Sequence, residues 1–269
     1  MCRPEHFGVL YEINPWMNTE VRPDPERAME QFDGLMATLR RAGAEIELME
    51  PVCGLPDLVF TANAGVVNGS QFVPARFRHP ERQGESPHDA AWFAARGFRV
   101  DWLPEGVRHE GAGDALPFRR EGAATVLVSG YRWRSDAASH APLSRLLGVP
   151  VRSVELADQR LYHLDLAFCP LDQVHAMIAP LGFDTYGVRV LEALVPEPVW
   201  LEDDEALSFC ANSVVVGRTV VMSSCTPRLG RILEQLGFEV AITPVDQFQL
   251  AGGACRCLTL ALDVDLTEQ

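Results

Sequence analysis

Hydrophobic residues recur along the chain in one order: an amphipathic helix pattern, a glycine stop and a short β-type run. Five copies lie at residues 39–48, 93–103, 143–151, 190–200 and 232–240, and the fourth lacks its glycine. A glycine after a helix adopts the left-handed backbone that ends it. In Asp24-Pro25 and Thr226-Pro227 a capping residue precedes a proline, so the pattern also predicts where two helices begin.

Hairpin-like stretches lie between these helices, and two of them are internally similar. Residues 60–69 and 209–217 share Phe-x-Ala-Asn followed by valines and a glycine turn. We therefore expect five modules of strand, strand, helix and strand that close into a ring, with a last strand at 258–264 near a first strand at 7–13. A ligand would occupy the central cavity. The alternative is an open, doubly wound α/β sheet, which would contain only one strand per helix.

The composition indicates a globular protein that needs no membrane or nucleic acid. The chain has 269 residues, 47% of them hydrophobic and 22% charged, and we expect residues 1–269 to form one catalytic domain. No apolar stretch approaches the ~20 residues of a membrane span, and the N-terminus lacks the apolar run of a secretory signal, which predicts a cytoplasmic protein. A net charge of −14 disfavours nucleic acid and favours a small cationic ligand. The sequence does not decide between a monomer and a homo-oligomer.

One of the seven cysteines stands in a context that suits a nucleophile. Gly252-Gly253 precede Cys255 and Cys257, and Cys257 opens an apolar β-type run. Periodicity puts both thiols on one strand face and leaves the choice between them open, while the local context favours Cys257. The alternative is a small buried hydrophobe. The cysteine count is odd and its spacing shows no zinc motif, so neither a disulfide framework nor a metal is expected.

Two further segments carry titratable groups that suit a site. In residues 160–168, strand alternation would place His163 and Asp165 on one face, although a hydrogen-bonded core histidine would give the same pattern. Glu110 and Asp114 flank a Gly-Ala-Gly turn that lets a ligand approach both carboxylates, although a surface turn would look alike.

Taken together, these motifs resemble the guanidine-modifying enzymes of the pentein fold, which include arginine deiminases, dimethylarginine dimethylaminohydrolases, arginine dihydrolases and amidinotransferases. The resemblance rests on four segments in order, Phe60-Thr61-Ala62-Asn63, Glu110-Gly111-Ala112-Gly113-Asp114, His163-Leu164-Asp165 and Cys257-Leu258-Thr259-Leu260. It covers nearly the whole chain. It implies an α/β-propeller of five ββαβ-type modules with pseudo-five-fold symmetry.

The resemblance also implies a mechanism without metal or organic cofactor. Cys257 would attack the guanidinium carbon and form a covalent thiouronium. His163 would protonate the departing amine and then activate water, oriented by Glu110, while Asp165 would hold guanidinium nitrogens. A bound cation beside the thiol would favour the thiolate, so the substrate itself would activate the nucleophile.

Two amides point to a particular member of this superfamily. Asn63 and Asn14 lie in segments similar to those of arginine dihydrolases, and an amide can hold a neutral ureido group as well as a cation. We therefore expect two hydrolytic rounds, from arginine through citrulline to ornithine. Asp114 is a further candidate for substrate binding, and Arg134, followed by Arg82, is the candidate for the α-carboxylate.

Three other functions compete with a dihydrolase. A dimethylarginine dimethylaminohydrolase would use the same groups and stop at citrulline. An amidinotransferase would pass the amidino group to an acceptor amine, but the chain has no evident insertion for a second substrate. A ribosome-binding pentein factor would do no chemistry and would lack the cysteine, histidine and glutamate that are present here.

Overall fold

The computed structural model describes residues 1–267 and shows four copies of one supersecondary unit. Each unit is an antiparallel hairpin, a helix, and a third strand parallel to the second strand of the hairpin. The sheets are formed by β1 (Gly65–Asn68), β2 (Gln71–Pro74) and β3 (Arg99–Val100); β4 (Ala115–Phe118), β5 (Val126–Tyr131) and β6 (Val151–Glu155); β7 (Phe168–Pro170), β8 (His175–Ile178) and β9 (Glu197–Trp200); and β10 (Val214–Val216), β11 (Thr219–Met222) and β12 (Glu239–Ile242).

The helices follow the predicted periodicity. They are α1 (Pro25–Arg41), α2 (Pro80–Gln83), α3 (Glu85–Ala95), α4 (His140–Leu147), α5 (Thr185–Leu194), α6 (Asp203–Leu207), α7 (Pro227–Gln235) and α8 (Asp246–Gln249). The side chains of Asp24 and Thr226 cap α1 and α7 as the sequence predicts, each by accepting a hydrogen bond from a backbone amide in the first turn. Helices α3, α4, α5 and α7 each cross from the hairpin of their sheet to its third strand.

The fifth unit is irregular, and the prediction of strands at 7–13 and 258–264 is wrong. Leu258 N–H donates to Ala254 O and Thr259 N–H donates to Arg256 O, so the chain turns at this point instead of extending. Around α1, the described part of this unit has a single parallel bridge, between Cys2 and Met49. The rest of the predicted fold, an α/β chain of repeated ββαβ modules, is confirmed.

Two hydrogen bonds join the C-terminal segment to the first hairpin. Gly69 N–H donates to Val264 O at 2.7 Å, and Leu266 N–H donates to the Asn68 side chain at 2.9 Å. The main apolar core is one contiguous cluster of side chains, whose first member in sequence is Val9 and whose last is Leu258. It includes residues of α1 and three of the sheets. Each fully buried large side chain of such a core contributes about 1.5–3 kcal/mol. Within residues 1–267, no helix has the length and apolarity to cross a bilayer.

Candidate active site

The candidate side chains occupy equivalent places in successive modules. A short 3₁₀ turn stands just before the hairpin in three modules, at Thr61–Asn63, Gly111–Gly113 and Leu164–Leu166. A related turn ending at Ser213 precedes β10. Because each module presents the same turn, the groups in or beside the turns can meet although they are far apart in sequence.

The prediction that His163 and Asp165 share a strand face is wrong. Leu166 N–H donates to His163 O, and Ala167 N–H donates to Leu164 O, which are the hydrogen bonds of a 3₁₀ turn. The turn persists because Asp114 accepts the Leu164 N–H at 3.0 Å. Strand β7 begins only after this turn. Both side chains are nevertheless fully buried.

The thiol of Cys257 lies between an amide and a carboxylate. Asn212 Nδ2 donates to the sulfur at 3.1 Å, and the sulfur lies 3.5 Å from Asp165 Oδ2. Asn212 Oδ1 accepts the backbone N–H groups of Ala254 and Cys257, both at 3.1 Å. Burial, reinforced by the Asp165 charge, raises the pKa of the Cys257 thiol well above its usual value. Without a cation nearby, the thiol is therefore protonated at neutral pH.

Cys255 has different neighbours from Cys257, which helps to decide which of the two thiols is the candidate nucleophile. Its sulfur lies 3.6 Å from Thr243 O, and burial raises its pKa to about 12. No carboxylate or side-chain amide of the described residues forms a hydrogen bond with it. Cys257 is thus the thiol that lies beside titratable groups.

His163 and Glu110 form a buried pair. His163 Nε2 is 2.9 Å from Glu110 Oε2, and the same oxygen accepts Arg134 Nη1 at 2.8 Å. Burial would raise the pKa of Glu110, but Arg134 and His163 outweigh it and hold this pKa well below its usual range. An ionised carboxylate only accepts hydrogen bonds, so Nε2 carries the hydrogen and Nδ1 remains free to accept a proton. Burial lowers the pKa of His163 to about 4 despite Glu110.

Asp165 offers an unoccupied buried acceptor beside the thiol. Its Oδ1 has no hydrogen-bond partner among the described residues. Burial raises its pKa to about 7, and the Arg256 guanidinium offsets part of this effect. A buried acceptor without a partner is costly, so a ligand with N–H donors would bind favourably here.

Asp114 and Asn14 both hold other segments of the site in place. Asp114 accepts Ser135 Oγ–H at 2.6 Å in addition to the Leu164 amide, so each of its oxygens already has a partner. Asn14 Nδ2 donates to Ala251 O at 3.0 Å, just before the cysteine turn. Gly252, at φ +85°, packs so closely that a Cβ would lie 2.8 Å from Asn14 Oδ1, which explains a glycine at this position.

The two arginines expected to bind a carboxylate are instead buried among protein groups. Arg82 pairs with Glu85 through two hydrogen bonds of 2.9 and 2.7 Å, and its Nη1 donates to Asn63 Oδ1 at 2.9 Å. Arg134 donates to Glu110 and, at 3.1 Å, to Ile13 O. Asn63 Nδ2 donates to Glu110 O at 2.9 Å, so this amide links Arg82 to the segment that carries Glu110.

Sequence reasoning missed two residues of the site. Asn212 donates to the Cys257 sulfur and is the counterpart of Asn63 in the internal repeat, which was the available signal. Asp57 is fully buried, accepts Tyr11 Oη–H at 3.0 Å and leaves Oδ1 without a partner in the described chain; no pattern marked it. Among residues 1–267, no group of three or more His, Cys, Asp or Glu side chains forms a candidate metal site.

Comparison with known sequences identifies the family to which this chain belongs. No family model matches the chain. Over 263 residues it is 43% identical to the bifunctional arginine dihydrolase/ornithine cyclodeaminase ArgZ of Synechocystis, covering 97% of this chain and 37% of ArgZ. Over 264 residues it is 37% identical to the dimethylarginine dimethylaminohydrolase of Mycobacterium tuberculosis. That match covers 97% of this chain and 84% of the mycobacterial protein. The chain belongs to the pentein-fold guanidine-modifying enzymes. The family expected from the motifs is confirmed.

The structural comparison agrees with this membership of the pentein-fold family. The N-terminal domain of ArgZ, as an asparagine-to-serine variant covalently bound to a reaction intermediate, superposes with a TM-score of 0.94. It is 42% identical and covers 100% of this chain and 98% of that domain. The chain spans 37% and 38% of the length of the two bifunctional cyanobacterial relatives.

Proposed function

We propose that this chain is a cysteine-dependent hydrolase that acts on the guanidino carbon of arginine. The observation that carries the proposal is the buried Cys257 thiol beside Asp165, whose Oδ1 has no hydrogen-bond partner within residues 1–267. A guanidinium is planar and rich in N–H donors, so it suits this acceptor and brings positive charge to the sulfur. The Asn212 amide also favours the thiolate by donating to it.

The proposed reaction begins with a neutral thiol and a neutral imidazole. On substrate binding the thiol proton passes to His163, and the sulfur attacks the guanidinium carbon. The imidazolium, stabilised by Glu110, then protonates the departing amine, which leaves a covalent thiouronium. Neutral His163 next takes a proton from water, and the resulting hydroxide attacks the same carbon. As the C–S bond breaks, the imidazolium returns its proton to the sulfur and the hydroxyl proton passes to solvent, which releases citrulline and restores the neutral thiol and imidazole.

We further propose a second round, in which citrulline is hydrolysed at the same cysteine to ornithine, ammonia and carbon dioxide. Support comes from the 43% identity to a protein named an arginine dihydrolase. Asn63 and Asn14 would act mainly by holding the segments that carry Glu110 and Cys257, since their amides bind protein groups. For the same reason Asp114, Arg82 and Arg134 would act by positioning other groups, and the residues that grip the α-carboxylate belong to other parts of the site.

A dimethylarginine dimethylaminohydrolase is the second candidate, favoured by the 37% identity to the mycobacterial enzyme of that name. It would release dimethylamine and stop at citrulline. The retained cysteine, histidine and glutamate disfavour a ribosome-binding role without chemistry.

Product analysis separates these functions. Arginine, monomethylarginine, dimethylarginine and citrulline are incubated side by side with the protein and with the Cys257→Ser variant, and products are identified by mass spectrometry. Ornithine from both arginine and citrulline supports the dihydrolase. Citrulline as the end product from dimethylarginine supports the second candidate. No product from any of the four would refute both.

The proposal also covers the domain organisation of the protein, its partners and its location in the cell. Residues 1–269 form one catalytic domain, supported by the continuous core from Val9 to Leu258. The substrate is a small guanidino cation and nucleic acid is not a partner, supported by the net charge of −14. The protein acts in the cytoplasm, and its oligomeric state is a matter for sedimentation measurements.

A further inference from the structure

A cavity of about 850 Å³ lies behind the cysteine turn. It is lined by parts of β4, β7 and β10, by residues 43–47 and by residues 259–264. Its volume falls within the range of about 300–1,000 Å³ that is typical of ligand pockets. Cys257, His163 and Glu110 do not line it, so it is distinct from the candidate active site.

The wall between the cavity and the thiol is formed by two short segments. Ala211 and Ser213 line the cavity, while Asn212 between them turns to the sulfur of Cys257. In the same way Arg256 lines the cavity, and the next residue is Cys257 itself. A ligand in the cavity would therefore lie against the backbone that positions the nucleophile.

Arg256 is the arginine that lines this cavity, and among the described residues most of its N–H donors have no hydrogen-bond partner. Its side chain is partly buried and makes one hydrogen bond, from Nη1 to Thr259 O at 2.8 Å. Among the described residues it forms no ion pair, in contrast to the buried arginines Arg82 and Arg134. A guanidinium carries five N–H donors in a planar fork that matches a carboxylate.

The remaining lining favours an apolar molecule with one anionic group. Valines of β10 and Leu116, Phe168 and Leu260 supply apolar surface. The acidic residues of the lining, Glu45, Glu47 and Asp263, are exposed to solvent, whereas Arg256 is partly buried. An anionic group of a ligand would therefore be attracted to Arg256 and repelled by the exposed acidic side chains.

We propose that this cavity is a second binding site, which takes a carboxylate attached to an apolar body and pairs it with Arg256. A consequence for catalysis follows if the function proposed above holds. The Arg256 charge favours the ionised form of Asp165, so a carboxylate on Arg256 would weaken this effect. Asp165 would then hold the substrate cation less tightly, and the bound acid would act as an inhibitor from a separate site.

Calorimetry with octanoate tests the binding, and 1-octanol is the matched uncharged probe. Octanoate is expected to bind, and 1-octanol to bind at least about tenfold more weakly, because a charge-assisted hydrogen bond contributes about 1.5–3 kcal/mol. Arg256→Met should weaken octanoate by a similar factor. Since loss of Arg256 also removes the bond to Thr259, Val215→Trp, which fills the cavity from β10, serves as the second variant and should also abolish binding.

Absence of octanoate binding, equal binding of the alcohol, or unchanged binding to both variants would overturn the proposal. The Cys257→Ser variant separates this proposal from the proposed function, because it should bind octanoate like the wild type. Arginine should lower the octanoate affinity of Cys257→Ser by a limited factor that levels off, as coupling between two sites requires. Complete displacement would place octanoate in the active site and overturn the proposal, whereas binding by a protein that hydrolyses no guanidine would refute only the function.

Discussion

Substitution of Asn212 is the most direct test of how the Cys257 thiol is held. Asn212→Ala removes the acceptor of the Ala254 and Cys257 amides and the donor to the sulfur. Each buried N–H left without an acceptor costs about 1–3 kcal/mol, and water that enters the space recovers part of this. We expect a loss of about 2–4 kcal/mol in the free energy of unfolding. At about 2–4 °C per kcal/mol, the melting temperature should fall by roughly 4–16 °C.

The same substitution should change the chemistry of the thiol. Without the Asn212 donor, which favours the thiolate, the pKa of Cys257 rises further. The pH midpoint of Cys257 alkylation by iodoacetamide should therefore move upward, a readout that does not depend on how accessible the thiol becomes. The kcat/KM for arginine should fall about 100-fold, since a small displacement of a reacting atom has an effect of this size.

Asn63→Ala is the matched control. It removes an equivalent amide, which binds Arg82 and Glu110 O, and should also lower the melting temperature. The Asn63 side chain forms no hydrogen bond with Cys257 in the described structure, so the pH midpoint of alkylation should stay at the wild-type value. If Asn212→Ala leaves that midpoint unchanged, or if Asn63→Ala moves it equally, the role assigned to Asn212 is incorrect.

Three further predictions concern the acid–base groups. Cys257→Ser should lose turnover and retain arginine binding within a few-fold by calorimetry, and turnover near the wild-type rate would exclude Cys257 as nucleophile. Glu110→Gln removes the charge that raises the pKa of His163, so this pKa, followed by NMR, should fall below about 4 and kcat should drop about 100-fold; an upward shift would contradict the assigned pairing. His140, buried with its pKa lowered to about 4, takes up a proton on unfolding below its usual value of 6.5, so it contributes stability that is lost as the pH falls from 6.5 towards 4. In urea unfolding between pH 6.5 and 4, the free energy of unfolding of His140→Leu should fall less steeply with pH than that of the wild type. The two slopes should differ by at most about 1.4 kcal/mol per pH unit, and equal slopes would contradict this account.

The repeated order of elements could be predicted from the sequence because local signals define it. The proline after Asp24 or Thr226 starts a helix, and the glycines at 148 and 237, both with positive φ, follow helix ends. The fifth unit could not be predicted in this way. Its segments at 7–13 and 258–264 carry strand-like residues, but turn hydrogen bonds such as Leu258 N–H to Ala254 O decide their conformation.

The same limit applies to the site. The motifs located the segments that contain Glu110, His163 and Cys257, because residue type and glycine context are visible in the sequence, but they predicted strands where His163 and Cys257 lie in turns. They could not reveal that Arg82 pairs with a buried acid, since Glu85 lies on a helix face whose sequence is typical of an exposed surface. Nor could they reveal Asp57, whose unpaired oxygen depends on packing between distant segments.

The contacts of the cysteine turn have a consequence for biosynthesis. Asn14 binds Ala251, Ala62 N–H donates to Cys257 O, and Gly69 N–H donates to Val264 O, so early and late segments of the chain meet there. Such long-range contacts cannot form until residues 251–264 have emerged from the translation machinery. The four regular sheets precede these residues in the chain, but the Cys257 sulfur reaches its place beside Asn212 and Asp165 only when the distant segments meet. A partly synthesised chain would therefore contain most of the architecture before the surroundings of Cys257 are complete.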